Sequence, residues 1–212
     1  MKITWIGHSS FLLEDSKGRK LLTDPYDETV GYNVFKGDVD VVTISHHHFD
    51  HDYTKMINKN AAIIDKVGLF YEKDISIKGL PSYHDKFKGA KRGENVIYIF
   101  EMDDLRICHL GDLGYILSQD EIDDLGDIDV LLIPVGGNFT IDSKEAAELC
   151  SKIKPHIVIP MHYKTPVMNF PIDGVEGFIN QMKNGTRIND STLTIDKMPD
   201  EKNLVKILNY SK

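Results

Sequence analysis

The sequence predicts an α/β fold, with sheets whose outer faces are covered by helices. Three observations carry this expectation. Strand-like runs come first along the chain and strand–helix–strand units follow. Residues 40–45, 129–134 and 156–160 are built round continuous apolar stretches, the pattern of strands covered on both faces. Each stretch also stops abruptly, in His46-His47-His48, Gly136-Gly137-Asn138 and Met161-His162-Tyr163.

The elements follow in order. Ile3 and Trp5, then Phe11 and Leu13, alternate with other residues on either side of the turn Gly7-His8-Ser9-Ser10, which predicts two strands. Asp15-Ser16-Lys17-Gly18 begins the next turn. Leu21-Leu22-Thr23-Asp24-Pro25 closes a third strand, since proline stops further pairing. Further strands are expected near 61–64, 75–80, 95–100, 105–110, 192–195 and 204–208. Ser118 predicts the cap of a short helix ending near Gly126. Asp142 with Glu145 three residues on makes a capping-box start, and Ala146, Leu149, Cys150 and Ile153 then share one helical face. Asp173 with Glu176 repeats that start ahead of Phe178, Ile179 and Met182. No low-complexity tract, proline-rich linker or long like-charge block interrupts the sequence, so residues 1–212 read as one domain.

Composition excludes several function classes. The 212 residues carry 25 Lys plus Arg against 33 Asp plus Glu, a net charge of −8. Such a chain lacks the broad basic footprint of proteins that bind long nucleic acids or anionic membranes. No apolar run approaches the roughly 20 residues of a membrane span, and the N-terminus has no signal-peptide pattern. Cys108 and Cys150 sit inside apolar runs without metal-type spacing, which suggests buried thiols in a reducing compartment. A cytoplasmic protein is expected. The unusual feature is nine histidines, three of them directly beside an acidic residue or glycine.

Ser45-His46-His47-His48-Phe49-Asp50-His51-Asp52 directly follows a buried strand. Residues two apart on an extended loop project the same way, so His46 and His48 can hold one ion while His47 points elsewhere. Asp50 and His51 can then serve a second position. Imidazole and carboxylate suit Zn²⁺, Fe²⁺ or Mn²⁺. A solvated histidine-rich loop is the bland alternative, but these polar atoms make a poor core element unless something partners them.

This HxHxDH pattern after a strand resembles the metallo-β-lactamase superfamily, and later residues extend the resemblance in order. His84 in Pro81-Ser82-Tyr83-His84-Asp85 stands where that family places a third histidine on the first metal. Asp112 in Gly111-Asp112 stands at its bridging carboxylate, and His162 in Pro160-Met161-His162 at the last histidine of the second metal. Asp24-Pro25 resembles an early element whose aspartate supports the ligands from behind, and His109 looks like a similar supporting or structural residue. Gly7-His8-Ser9 resembles a turn of the branch containing uncharacterised hydrolases and L-ascorbate-6-phosphate lactonase-like enzymes. There His8 either donates a proton or stabilises the turn. His156 reads as structural or exposed.

The resemblance implies a four-layer αβ/βα sandwich holding two divalent metals, zinc first, with manganese or iron as alternatives. His46, His48 and His84 would hold one metal and Asp50, His51 and His162 the other, with Asp112 bridging. A bridging hydroxide would attack an electrophilic carbonyl or phosphorus. The residues closest to the chemistry are then Asp50, Asp112 and His8. The antibiotic-hydrolysing branch lacks the bridging aspartate and is exported, flavodiiron relatives carry Glu in the position of His48, and glyoxalase II and the nucleases add domains or arms. What remains is a compact hydrolase. The basic residues Lys86, Lys88, Lys91 and Arg92 either hold a small anionic substrate over the metals or form a solvated loop, and Phe87 and Tyr163 are candidate pocket walls. A non-catalytic metal-binding or sensor protein and a mononuclear iron redox enzyme are the rivals.

Overall fold

The computed structural model describes residues 1–212. A six-stranded sheet is built from β1 (Lys2–Gly7), β2 (Ser10–Glu14), β3 (Lys20–Thr23), β4 (Val41–Thr43), β5 (Ala62–Ile64) and, from the far end of the chain, Thr192–Thr194. An eight-stranded sheet takes β6 (Gly68–Glu72), β7 (Ile75–Tyr83), β8 (Glu94–Met102), β9 (Leu105–His109), β10 (Val130–Pro134), β11 (Ile157–Met161), β12 (Thr186–Arg187) and β14 (Leu204–Ile207); Thr192–Thr194 of the six-stranded sheet is β13 in chain order. The strand orders are β13-β1-β2-β3-β4-β5 and β12-β14-β11-β10-β9-β8-β7-β6. Three helices, α1 (Gln119–Leu125), α2 (Ser143–Ile153) and α3 (Glu176–Met182), are inserted among the later strands. None is long and apolar enough to cross a membrane.

Strand alternation divides the apolar residues between two cores. Leu21 and Val41 join Ile3, Trp5 and Phe11 against Ile77, Tyr98, Ile107 and Leu131 of the larger sheet, so this core lies between the sheets. Their neighbours Leu22 and Val42 face the other way, into a smaller cluster with Ile6, Ile44, Tyr26, Val30, Tyr32 and Met168. That is why β4 reads as apolar on both faces. The expected α/β architecture of two packed sheets is present. Its outermost layer over the six-stranded sheet is thinner than a helix layer: a 3₁₀ turn, Glu28–Val30, and loops supply the cover. Pro25, Gly31 and Gly37 leave no room for a helix in that segment.

The helix caps follow the sequence at two of three sites. Ser118 and Glu121 form a reciprocal capping box on α1, and Asp142 and Glu145 form one on α2. At α3 the expectation fails. The helix begins after Val175 with no side-chain cap, because Asp173 is taken up elsewhere: its N–H donates to the Gly136 carbonyl and its own carbonyl accepts from Lys164. β7 runs through Pro81 to Tyr83, three residues beyond its expected end. Its partner β6 stops pairing at Gly79, so Pro81 faces only β8 and no ladder donor is missed. β6 itself is absent from the sequence expectation. Leu69 and Tyr71 are exposed on this edge strand, so it lacks a buried apolar face.

The cap assignments predict an asymmetry. Asp142→Ala should cost about 1 kcal/mol and lower the melting temperature by roughly 2–4 °C, whereas Asp173→Ala should cost less than about 0.5 kcal/mol. Thermal denaturation of the two variants checks this.

Candidate metal centre

All the histidines and aspartates singled out for the site leave the C-terminal ends of strands. His8 follows β1, Asp24 follows β3, residues 46–51 follow β4, His84 follows β7, Asp112 lies just past β9, and His162 follows β11. Four of these strand exits turn through left-handed backbone, with φ of 53° at His8, 39° at Asp24, 56° at Gly111 and 49° at His162. Such conformations disfavour L side chains and persist only where the surroundings fix them. At Gly111 a side chain is also excluded by space: a Cβ would lie 2.3 Å from Asn95 Oδ1 and 2.7 Å from Ser45 Cβ.

Asp24 organises the histidine loop. Its Oδ1 accepts the Ser45 backbone N–H at 2.7 Å. Its Oδ2 accepts the Ser45 hydroxyl at 2.6 Å and His51 Nδ1–H at 2.9 Å. Since the Ser45 hydroxyl proton is spent on Asp24, its oxygen accepts from His46 Nδ1 at 3.0 Å. Both imidazoles therefore carry a proton on Nδ1 and turn Nε2 into the site. His46 Nε2 is buried and has no partner. Burial pushes His46 well below the ordinary histidine range, so that nitrogen is a bare lone pair.

The same position draws carboxylates together. Asp112 Oδ2 lies 3.1 Å from His162 Nε2, 3.2 Å from His84 Nε2 and 3.3 Å from His51 Nε2. Burial by itself would raise Asp112, but His162 and His51 hold it well below the usual carboxylate range. Asp50 is likewise buried and kept low by His51 and His8. Burial would lower His51, yet Asp112 and Asp50 drive it well above its ordinary value. Buried ionised carboxylates facing an imidazole nitrogen demand positive charge at that point. A divalent cation satisfies the demand, and the buried Nε2 atoms of His46 and His51, which have no hydrogen-bond partner, are suitable donors.

Donor atoms converge in three overlapping groups, each able to hold a metal ion. His46, His48 and His84 each offer a nitrogen within 4.8 Å of the others, and so do His46, His51 and Asp112. Asp50, His51 and His162 form another group, with His8 as an unanticipated fourth member. His8 Nε2 donates to Asp50 Oδ2 at 3.0 Å. Burial, with His162 alongside, lowers His8 to about 4, so it is neutral near pH 7. Its ring is fully buried and stands behind Asp50 instead of on the cavity wall. That place suits orientation of Asp50, and not proton donation to a substrate. His47 is exposed and faces Asp52 and Asp65, as loop alternation requires. His109 is buried in β9, donating to Ser9 carbonyl at 2.8 Å and accepting from Gly111 N–H at 3.1 Å, so it holds the turn before Asp112. His156 is half-buried near Lys202, remote from the site.

A cavity of about 180 Å³ opens over these groups, floored by His48, Asp50, His84, Asp112 and His162. Its walls correct two expectations. Phe87 is exposed and Tyr163 is buried against Trp5, so neither lines it; Phe49, Phe139 and Phe170 do. Of the four basic residues only Arg92 reaches it. Lys86 is paired with Glu145, and Lys91 lies 4.0 Å over the Phe87 ring. Several supporting residues carry no clear sequence signal. Ser45 relays Asp24 to His46. Asn95 Oδ1 accepts Asp112 N–H at 2.9 Å while its amide donates to Leu110 carbonyl and Ser82 Oγ. Phe139 and Phe170 reach the wall from distant loops. A polar Asn opening the apolar run 95–100 is the one hint the sequence offered.

Residues 2–162, from the first strand to the last histidine of the site, match the β-lactamase superfamily domain. The chain belongs to that superfamily. It is 32% identical over 195 residues to a UPF0173 metal-dependent hydrolase of Pyrococcus horikoshii, covering 78% of this chain and 85% of that one. A Thermotoga maritima structure assigned as a Zn-dependent hydrolase of the metallo-β-lactamase superfamily superposes with a TM-score of 0.82 at 35% identity, over 98% of this chain and 99% of that one. The chain is thus a member of the metal-dependent hydrolases of this superfamily. The fold extends much further: a diiron β-hydroxylase of Streptomyces venezuelae shares it at 12% identity and a TM-score of 0.61, covering 86% of this chain and 49% of that one.

The Asp24 network predicts graded losses of metal affinity. Asp24→Ala should weaken divalent-metal binding by about 10–100-fold, and His46→Ala and His48→Ala should each weaken it at least as much. His47→Ala should leave it within about twofold. Competition titrations against a chelator of known affinity provide the measurement, and equal losses at His46 and His47 would reject the alternation.

Proposed function

We propose that this superfamily member is a two-metal hydrolase acting on a small anionic ester, lactone or phosphodiester. The observation that carries this reading is Asp112 Oδ2, set within 3.1–3.3 Å of three imidazole nitrogens drawn from both groups of donors. His46, His48 and His84 would hold one divalent cation and Asp50, His51 and His162 the other, with Asp112 between them. Zinc is the first candidate for a nitrogen-rich site of this kind. Bound there, two such ions would supply an activated water and polarise the substrate oxygen.

The remaining work falls to the chain. Asp24 keeps the Nε2 atoms of His46 and His51 turned into the site, directly and through Ser45. His8 holds the Asp50 carboxylate in one orientation from behind. Half-buried His48 leaves the floor of the cavity open to a ligand, while the phenylalanine walls restrict water. No serine or cysteine lines the cavity to act as a nucleophile. Cys108 and Cys150 are buried, and burial pushes both thiols up. Water chemistry is the reading this leaves. The anionic class is supported by the positive charge that two cations bring to a site with one free arginine at its rim.

Metal analysis of the purified chain should give two divalent ions per chain, and a screen of lactones, thioesters, phosphodiesters and carboxylic esters should find turnover that chelation abolishes. One iron per chain with oxygen-dependent turnover would reject the hydrolase. Asp112→Ala should lower the metal content and cut kcat/KM by more than about a hundredfold while leaving the circular dichroism spectrum unchanged.

A further inference from the structure

The wall of the cavity is chemically distinct from its floor. Phe49, Phe170 and Phe139 form a continuous aromatic row: ring centroids are 6.1 Å apart between Phe49 and Phe170, and 6.5 Å apart between Phe170 and Phe139. The row ends on Arg92, whose guanidinium carbon lies 4.5 Å from the Phe139 centroid. The other arginines are all bound to carboxylates: Arg19 to Asp15, Arg106 to Glu101 and Arg187 to Glu176. The Arg92 side chain has neither an ion-pair partner nor a hydrogen bond, although it is half-buried at the cavity.

Stacking on an aromatic face orients a guanidinium without using its in-plane N–H donors. Those donors form a planar fork suited to bidentate recognition of a carboxylate or phosphate. The backbone beneath Arg92 is fixed too. Asp85, the residue after His84, accepts the N–H groups of Phe87 and Gly89 on Oδ1 and of Lys91 and Arg92 on Oδ2, at 2.7–3.1 Å. A single carboxylate therefore ties the Arg92 loop to the end of β7 that delivers His84. A long cationic side chain without a counter-ion, fixed at its base and stacked at its tip beside a cavity, is preorganised for an incoming anion.

We propose that Arg92 binds a carboxylate or phosphate carried by the substrate apart from its scissile bond, next to an aryl or acyl group seated on Phe49, Phe139 and Phe170. The substrate is then an amphipathic anion, not merely a small charged ester. This rests on the hydrolase reading for the word substrate, but the binding site itself does not require turnover. Arg92 is a specificity residue: it contacts a part of the ligand that does not react, so its removal should raise KM and leave kcat unchanged.

Isothermal titration of the metal-loaded full chain with phenylacetate, phenylphosphonate, acetate and neutral phenylacetamide tests the site without chemistry. Phenylacetate should bind more tightly than either acetate or phenylacetamide, and phenylphosphonate binding more tightly still would favour the phosphate form of the ligand. Arg92→Gln should weaken both aryl anions roughly ten- to hundredfold and leave phenylacetamide unchanged, with Arg92→Lys in between because it keeps charge but not the fork. The Arg92 backbone N–H to Asp85 survives either substitution, so an unaltered melting temperature is expected. Anion affinities unchanged in Arg92→Gln would overturn the proposal, since the metals alone would then hold the anion. Acetate binding as tightly as phenylacetate, or no binding of the aryl anions, would overturn it as well. Matched aryl esters with and without a terminal carboxylate supply the kinetic arm. Loss of the Arg92 effect on KM while both esters turn over rejects only the arginine site. Absence of all turnover with the binding pattern intact rejects only the hydrolase.

Discussion

The site depends on one buried carboxylate, that of Asp24. β3 and β4 are parallel neighbours in register, Thr23 beside Thr43. The residue after β3 therefore arrives beside the loop that follows β4, and the Asp24 N–H closes the junction on Thr43 carbonyl at 2.9 Å. From there its two oxygens fix the backbone of Ser45, the hydroxyl of Ser45 and the ring of His51. A carboxylate can only accept, so the proton positions on two imidazoles follow from its presence. The tautomer of a histidine decides which nitrogen is a donor to metal, and here that choice is made by a residue that is itself turned away from the metal positions.

Around this point the protein concentrates charge that an ordinary core would not tolerate. Asp24, Asp50 and Asp112 are all buried, and neighbouring imidazoles hold each of them below its ordinary range despite burial. The strained turns at His8, Asp24 and His162 occur at the same strand ends. His8 shows how the parts are joined: its carbonyl accepts both the Trp5 indole N–H and the His162 backbone N–H, while its ring holds Asp50. Two well-packed apolar cores, one between the sheets and one outside the smaller sheet, supply the rigidity that keeps these conformations in place.

The cavity joins two kinds of recognition on separate supports. Its floor comes from strand ends and is set by hydrogen bonds among histidines and aspartates. Its wall comes from loops, with Phe139 leaving β10 and Phe170 lying beyond β11. Asp85 couples the two, since its position follows directly from His84 and its oxygens collect the loop that ends at Arg92. Loops on a fixed frame can vary without disturbing the chemistry beneath them, which is where differences of specificity within one fold are expected to reside.

Beyond His84, Asp112 and His162, which only the family resemblance marked, the sequence by itself determined the strands with two covered faces, the two capping boxes at Ser118 and Asp142, and the candidate metal donors His46, His48, Asp50 and His51. These are local or periodic signals: runs of apolar residues, i to i+3 pairs, and histidines two apart on an extended segment. The edge strand β6 escaped because it lacks a buried face, and Asp173 failed as a cap because its backbone is engaged by Gly136 and Lys164, residues distant along the chain. Only the tertiary structure decided the role of Ser45 and Asn95, placed His8 behind Asp50, separated Arg92 from Lys86, Lys88 and Lys91, and exchanged Phe87 and Tyr163 for Phe139 and Phe170 on the cavity wall. Each of these depends on which strand ends and loops meet across the two sheets. Such meetings are fixed by long-range packing and leave no periodicity or spacing for a reader of the chain to find.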